Sequence, residues 1–251
     1  MTEDKYRVLA VEKALEVLEY LSKRNHEISF TALCNELGKT TSEMFRVIET
    51  LAQRGYISKI EKSNSIKLTS KIFRLAQYHP PFRNLIEAAS GPMAEYSQKM
   101  GLSCHISILE NGNSLNLYAQ EGANEHLIHA KTGAYFPAIE RNSGRTLISL
   151  LKESEFYAFL ENDPTFQAYD EIKKEKTIKK LKSYRKKPYT ITPSFVFPGV
   201  STVVVPLQRT KSGLQATLSG GFFKSMVEIN TLIKVMLETA HQINQRWATE
   251  D

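Results

Sequence analysis

The chain has 251 residues, 41% of them hydrophobic, and a formal net charge of +6. That is enough for one large domain or two ordinary ones with a proper core, and no apolar run approaches the ~20 residues that cross a bilayer. The polar start MTEDKYRV has no signal-peptide core, and Cys34 and Cys104 are far apart without metal-ligand spacing, so a cytoplasmic protein with no membrane partner, metal or cofactor is expected.

The first element is a helix over RVLAVEKALEVLEYLSK, with Val11, Ala14, Leu15, Leu18 and Leu21 as its apolar stripe. Ser29 is placed to cap a short second helix, and Gly38 to end it through a left-handed turn. Thr40 and Glu43 match the S/T-x-x-E capping box that opens a third helix. In that helix Met44, Val47, Ile48 and Leu51 repeat at i, i+3, i+4, i+7. Two helices joined by a short Gly-containing turn have helix-turn-helix spacing. Gln53-Arg54-Gly55-Tyr56 stops the third helix, and Ile57–Glu61 and Ile66–Thr69 read as strands around the turn cluster Lys62-Ser63-Asn64-Ser65. Three helices and a hairpin make a winged helix-turn-helix, a fold that serves both DNA binding and protein docking.

The face of the third helix opposite its stripe carries Ser42, Phe45, Arg46 and Glu49. A helix fits the DNA major groove, and its leading residues reach base edges. Arg46 suits guanine or a phosphate, or else an ion pair with Glu43 or Glu49. Phe45 suits a thymine methyl, or packing on the preceding helix. Glu43 suits cytosine N4, or the capping box. Thr41 and Ser42 are short donors, with Ser29 counted beside them on the DNA side. Lys62, Asn64 and Lys67 of the wing are candidate phosphate or minor-groove contacts.

Tyr78-His79-Pro80-Pro81 breaks the chain, and the domain boundary is set at Pro80. A long helix is expected from Phe82 to Met100, kinked at Gly91-Pro92 and ended by Gly101. Strands follow at Ser103–Leu109, Leu115–Gln120 and Leu127–Thr132, the first two joined by an Asn111-Gly112 turn. Then come a helix over Asn142–Leu151, further helical turns, and a basic run. From Lys173 to Lys187 that run holds nine Lys/Arg and one Glu, a net of +8, so subtracting it from +6 leaves −2 for the rest. It reads as a solvated helix face rather than a nucleic-acid arm. Strands Val200–Leu207 and Leu214–Gly221 and a final helix, Val227–Trp247, complete an α+β domain with a mostly antiparallel sheet. Catalysis is not expected. Cys104 and His105 are neighbours whose strand geometry sends them to opposite faces, and His126, His129 and Glu140 are near only in sequence. No nucleophile elbow, P-loop, zinc motif or Rossmann fingerprint occurs.

The chain resembles the IclR family of bacterial transcriptional regulators. The resemblance is carried by VEKALEVLEYL, ISFTALCNELG and TTSEMFRVIETLAQRGYI. It continues through Thr132-Gly133-Ala134-Tyr135-Phe136-Pro137, Ser143-Gly144-Arg145-Thr146-Leu147, and Pro198-Gly199-Val200 with its following strand. Ser42 and Arg46 match the family's third helix, whereas Thr41 replaces its usual basic residue and Glu43 its Thr. The resemblance implies a DNA-binding domain over residues 1–79, then a linking helix and a GAF-like effector-binding domain over 80–251. It also implies a duplex operator, a small-molecule effector such as a carboxylate or aromatic acid, and assembly as a homodimer or dimer of dimers. The effector would sit near Arg141, Ser143, Gly144, Arg145, Phe195, Ser201 and Thr202. Helix-start N–H groups and arginines suit an anion there. Ile139-Glu140-Arg141 and Thr192-Pro193-Ser194-Phe195 depart from the family pattern, and Phe195 and Phe197 make the pocket more apolar. The alternative is a winged-helix DNA-binding or docking factor whose second domain binds no ligand and only oligomerises.

Overall fold

A helix with one apolar stripe forms where that stripe is buried, and α3 (Thr41–Gln53) buries Met44, Val47, Ile48 and Leu51. The computed structural model describes residues 7–60, 63–123, 130–195, 197–208 and 213–248. By its contacts the chain divides into two units, Met1–His79 and Pro80–Asp251.

The first unit comprises α1 (Leu9–Ser22), β1 (Ile28–Ser29), α2 (Phe30–Glu36), α3, β2 (Ile57–Ile60), β3 (Ser65–Leu68) and α4 (Lys71–Gln77). Ser29 Oγ accepts from the Ala32 N–H at 3.2 Å and caps α2. Gly38 takes φ +63°, a left-handed value that suits glycine. The turn lets the Lys39 N–H reach Cys34 O at 2.9 Å. Thr40 Oγ1 then accepts from the Glu43 N–H at 3.3 Å and opens α3. The Glu43 carboxylate accepts in return from the Thr40 backbone N–H and also pairs with Lys13 on α1. The stripe of α1 is rotated. Val17 and Leu21 are buried, while Val11 and Leu15 are exposed. β1 is an addition to the sequence reading. Two residues carry no periodicity, yet Ile28 pairs with Ile66 to give an antiparallel sheet in the order β1-β3-β2.

The second unit begins with α5 (Pro80–Met100), and Gly91-Pro92 does not divide this helix. β4 (Cys104–Glu110), β5 (Asn113–Gln120), β6 (Tyr135–Pro137), β7 (Thr190–Pro193), β8 (Val200–Pro206) and β9 (Ala216–Phe223) form an antiparallel sheet in the order β6-β5-β4-β9-β8-β7. Between β6 and β7 lie a 3-10 turn (Ala138–Glu140), α6 (Asn142–Leu150), α7 (Glu153–Asn162), α8 (Pro164–Gln167) and α9 (Glu171–Tyr184), and α10 (Ile229–Ala248) ends the fold. The strand expected at Leu127–Thr132 lies mostly outside the described residues. Its remainder is a turn, and the edge strand is β6. β7, also unread from sequence, pairs with β8.

The sheet has two unlike faces. Cys104, Ile106, Ile108, Val203, Val205 and Leu218 form one core with α5 and α10. Ser107, Ser114, Thr217 and Ser219 are small, polar and buried, and they alternate with those apolar positions on the other face. Against that face lies α6, whose residues Asn142–Ser149 are all buried. Behind it, Ile148 joins Phe156 of α7, Phe166 of α8 and Leu181 of α9 in a further core.

A Cβ on Gly144 would lie 2.2 Å from Ala138 O and 2.6 Å from Ala138 Cα, closer than packed atoms allow. Gly144→Ala is therefore expected to destabilise the second unit by about 1–3 kcal/mol. Met44→Ala, which empties a fully buried site, is expected to cost the first unit about 2–5 kcal/mol. Urea unfolding followed by circular dichroism checks both.

Candidate nucleic-acid interface and ligand cavity

With its stripe buried, α3 presents Thr41, Ser42, Glu43, Phe45 and Arg46 as exposed residues, and Phe45 is 55% exposed. A large aromatic left in water on an ordered helix loses the burial energy it would gain in a contact. Both carboxylates within helical reach of Arg46 are engaged elsewhere. Glu43 pairs with Lys13, and Glu49 pairs with Lys59 on β2. The Lys13 ammonium and its hydrogen bond hold the Glu43 carboxyl below its ordinary range, so Glu43 is an ionised strut between α1 and α3. Ser29 already uses its oxygen as a cap. In the wing, Asn64 takes φ +47° and Lys67 is exposed on β3; Lys62 lies outside the described residues.

The second unit holds a cavity of about 300 Å³ where the start of α6 meets the polar sheet face. Arg141, Asn142 and Ser143 line one side, and Thr202 and Gly221 the floor. Phe136, Phe195 and Phe197 supply aromatic walls, and Lys131 lies at its edge. The Arg141 guanidinium stacks 4.0 Å from the Phe136 ring centroid. Burial there lowers its pKa, and neighbouring Glu140 partly opposes that. Asn142 Nδ2 donates to Pro193 O at 3.1 Å and ties α6 to β7. Ser143 Oγ sits 3.3 Å from Ser114 Oγ.

Of the residues expected in the effector site, Arg141, Ser143, Phe195 and Thr202 come together around this cavity. Three do not line it. Arg145 is buried, donating from Nε to Ile139 O at 2.6 Å and lying 4.2 Å under the Phe195 ring, so it is neither in solvent nor on the cavity wall. Gly144 packs on Ala138. Ser201 is buried and alternates with Thr202 along β8, which turns it to the opposite sheet face. Sequence reasoning missed His105, Asn116, Lys131 and Asn142. Asn116 reaches the wall because β5 is irregular where Ile106 pairs with Tyr118 but Ser107 pairs with Asn116, and a single extra residue leaves no periodic signal.

Cys104 and His105 do part to opposite sides. Cys104 is in the α5 core, where burial raises its thiol pKa to about 12, whereas His105 lines the cavity. His126 and His129 lie outside the described residues. Among those described, no group of three His, Cys, Asp or Glu is placed to hold a metal, and no helix is long and apolar enough to cross a membrane.

A winged helix-turn-helix followed by an α+β unit with a cavity against one sheet face defines a two-domain regulator architecture. The family profile for the IclR helix-turn-helix domain matches residues 10–61, and that for the bacterial transcriptional regulator IclR C-terminal matches residues 82–245. The chain belongs to the IclR family of bacterial transcriptional regulators, with a DNA-binding helix-turn-helix domain and the family's C-terminal domain. It is similar to the HTH-type transcriptional regulator XynR of Escherichia coli, 24% identical over 223 residues, 88% of each chain. Among solved structures it is similar to an IclR homolog from Microbacterium hydrocarbonoxydans complexed with 4-hydroxybenzoate, with TM-score 0.77, 15% identity, and 96% and 99% of the two chains covered. It also matches the IclR regulator of Alicyclobacillus acidocaldarius, with TM-score 0.71, 20% identity, and 97% and 100% covered.

Burial depresses the His105 pKa to about 4, so the folded protein keeps this imidazole neutral. As pH falls from about 6.5 toward 4, the unfolded chain takes up a proton that the folded chain refuses. Stability should fall over that window, by no more than about 3 kcal/mol from this group. Urea midpoints measured from pH 7.5 to 4 should drop less steeply for His105→Gln than for the parent.

Proposed function

We propose that this chain is a sequence-specific operator-binding regulator whose second domain senses a small organic anion with an aromatic body. The observation that supports DNA reading most directly is the Arg46 guanidinium beside exposed Phe45, with both nearby carboxylates drawn away. In this reading α3 enters the major groove. Arg46 reads guanine or grips phosphate, Phe45 lies on a thymine methyl, and Thr41 and Ser42 donate to the backbone or to bases. Asn64 and Lys67 of the wing reach phosphates, with Lys62 and Ser29 as further contacts. Helix-turn-helix proteins commonly bind paired half-sites as dimers. Exposed Val8, Leu9, Val11 and Leu15 at α1, and Ile72, Phe73, Leu75 and Tyr78 at α4, are the apolar surface such a dimer would cover. A homodimer, or a dimer of dimers, acting in the cytoplasm fits this reading.

For the second domain, the cavity favours a sensor over a purely oligomerising module. It combines a partly desolvated guanidinium, aromatic walls and a hydroxyl from β8. Arg141 would take the carboxylate while Phe136, Phe195 and Phe197 hold the ring, and Ser143 and Thr202 would donate to polar edges. The complex of a structural neighbour with 4-hydroxybenzoate supports that ligand class.

Arg46→Ala should weaken binding to an operator selected from random duplexes by about 1–3 kcal/mol, read by anisotropy at fixed salt. Unchanged affinity would remove Arg46 from the interface. In a thermal-shift screen of small aromatic acids beginning with 4-hydroxybenzoate, a ligand at 100 times its Kd should stabilise the native protein by ~2.7 kcal/mol. Arg141→Ala should abolish the shift. A screen in which no acid raises the melting temperature favours the oligomerising alternative.

A further inference from the structure

Helix α9 carries a charge imbalance that neither the operator face nor the cavity uses. From Lys173 to Lys187 the net charge is +8, while the remainder of the chain sums to −2. Its inner side is fixed by Thr177, Leu181 and Tyr184, all buried. Asp170 caps its start, accepting from the Lys173 N–H at 2.7 Å. At its other end Arg185 donates from Nε to Ser149 O at 3.1 Å and from Nη2 to Leu151 O, closing the last turn of α6. Lys182 bonds Tyr157 Oη at 2.7 Å, Lys173 sits 3.6 Å from the Tyr169 ring centroid, and Lys174 pairs with Glu171 at 2.9 Å.

Among the described residues, Lys176, Lys179, Lys180, Lys186 and Lys187 have no carboxylate partner. Lys176 stands three residues from Lys179 and four from Lys180, and like charges at that spacing repel on a helix. Burial, and then the nearby Arg145 of α6, lower the Lys180 pKa. Solvation accounts for scattered lysines. It does not account for three uncommitted cations on one ordered helix and two more just past its end, with only Glu171 and Glu175 as acids on that helix. Protein-binding surfaces are depleted in Lys and centred on apolar anchors, whereas phosphate-binding surfaces are rich in Lys. Apart from Ile172 at its start, α9 offers no large exposed apolar residue. Its fourteen residues span ~21 Å, a length over which duplex DNA carries about a dozen charges.

We propose that α9 is a second, sequence-independent DNA contact, its uncommitted lysines gripping the phosphate backbone of duplex DNA. This rests on the reading of the chain as a DNA binder. The test uses the full chain and a 40-base-pair duplex of arbitrary sequence, with anisotropy titrations between 50 and 200 mM salt. The variant is Lys176→Gln, Lys179→Gln, Lys186→Gln, three exposed positions, the first two on α9 where glutamine keeps helix propensity. Each lost phosphate contact removes ~0.9 from the slope of log K against log salt, so the slope should shrink by about 2–3. The charge-matched control Lys99→Gln, Lys224→Gln, Lys234→Gln, also exposed, should keep the parent slope. The proposal is overturned if the α9 variant keeps the parent slope, which would leave α9 to an acidic protein or to solvent. It is equally overturned if the control loses as much, since net charge alone would then be the cause. If Arg46→Ala with Lys67→Ala weakens binding and the α9 variant does not, only this proposal fails. A parent chain that binds no duplex at any salt overturns the operator reading along with it.

Discussion

Burying Met44, Val47, Ile48 and Leu51 is the constraint on which the exposed face of α3 depends. Four apolar side chains on one stripe leave the helix a single stable orientation about its axis, so the residues between them must face outward. The ion pairs reinforce that orientation from both sides. Lys13 of α1 holds Glu43 at the start of α3, and Lys59 of β2 holds Glu49 one turn before its end. Exposed ion pairs contribute little stability, commonly under about 1 kcal/mol each. Their consequence here is electrostatic. They occupy the two carboxylates within helical reach of Arg46.

The second unit follows from an unequal sheet. Strands whose alternate residues are Cys104, Ile106 and Ile108 against His105 and Ser107 cannot pack both faces alike. The apolar face takes two long helices, and the face of serines and threonines takes α6, which brings Asn142 and Ser143 to it. A hollow lined by polar groups and flanked by aromatic rings is the result. Arg145 shows how tightly the surroundings are tuned. Its charge is buried with a backbone carbonyl and the Phe195 ring as partners, which leaves Arg141 as the guanidinium on the cavity wall.

Much of this was legible in the residues themselves. The 3.6-residue stripe of α3, the Ser29 cap, the Gly38 turn and the wing hairpin each have a local cause, and each forms. The failures have a different origin. In α1, Val17 rather than Val11 or Leu15 faces inward, because the helix is apolar on more than one side and only its neighbours choose the buried one. The pairing of Glu43 with Lys13, thirty residues away in sequence, has no local signal. β1 and β7 are short strands defined by their partners rather than by a pattern. At the cavity, the α6 start was readable from Ser143-Gly144, but His105, Asn116 and Lys131 arrive from separate strands and turns, and no linear spacing encodes their meeting.

Helix α6 touches the cavity at one end and the lysine-rich helix at the other. Its opening residues, Asn142 and Ser143, form part of the hollow, while its closing carbonyls, at Ser149 and Leu151, are held by Arg185 at the end of the lysine-rich helix. The rod between them is nine residues long and buried almost throughout. Close-packed helices shift as units rather than bend. One buried rod thus has the hollow at its first residues and the Arg185 anchorage at its last, so the two share a single rigid support.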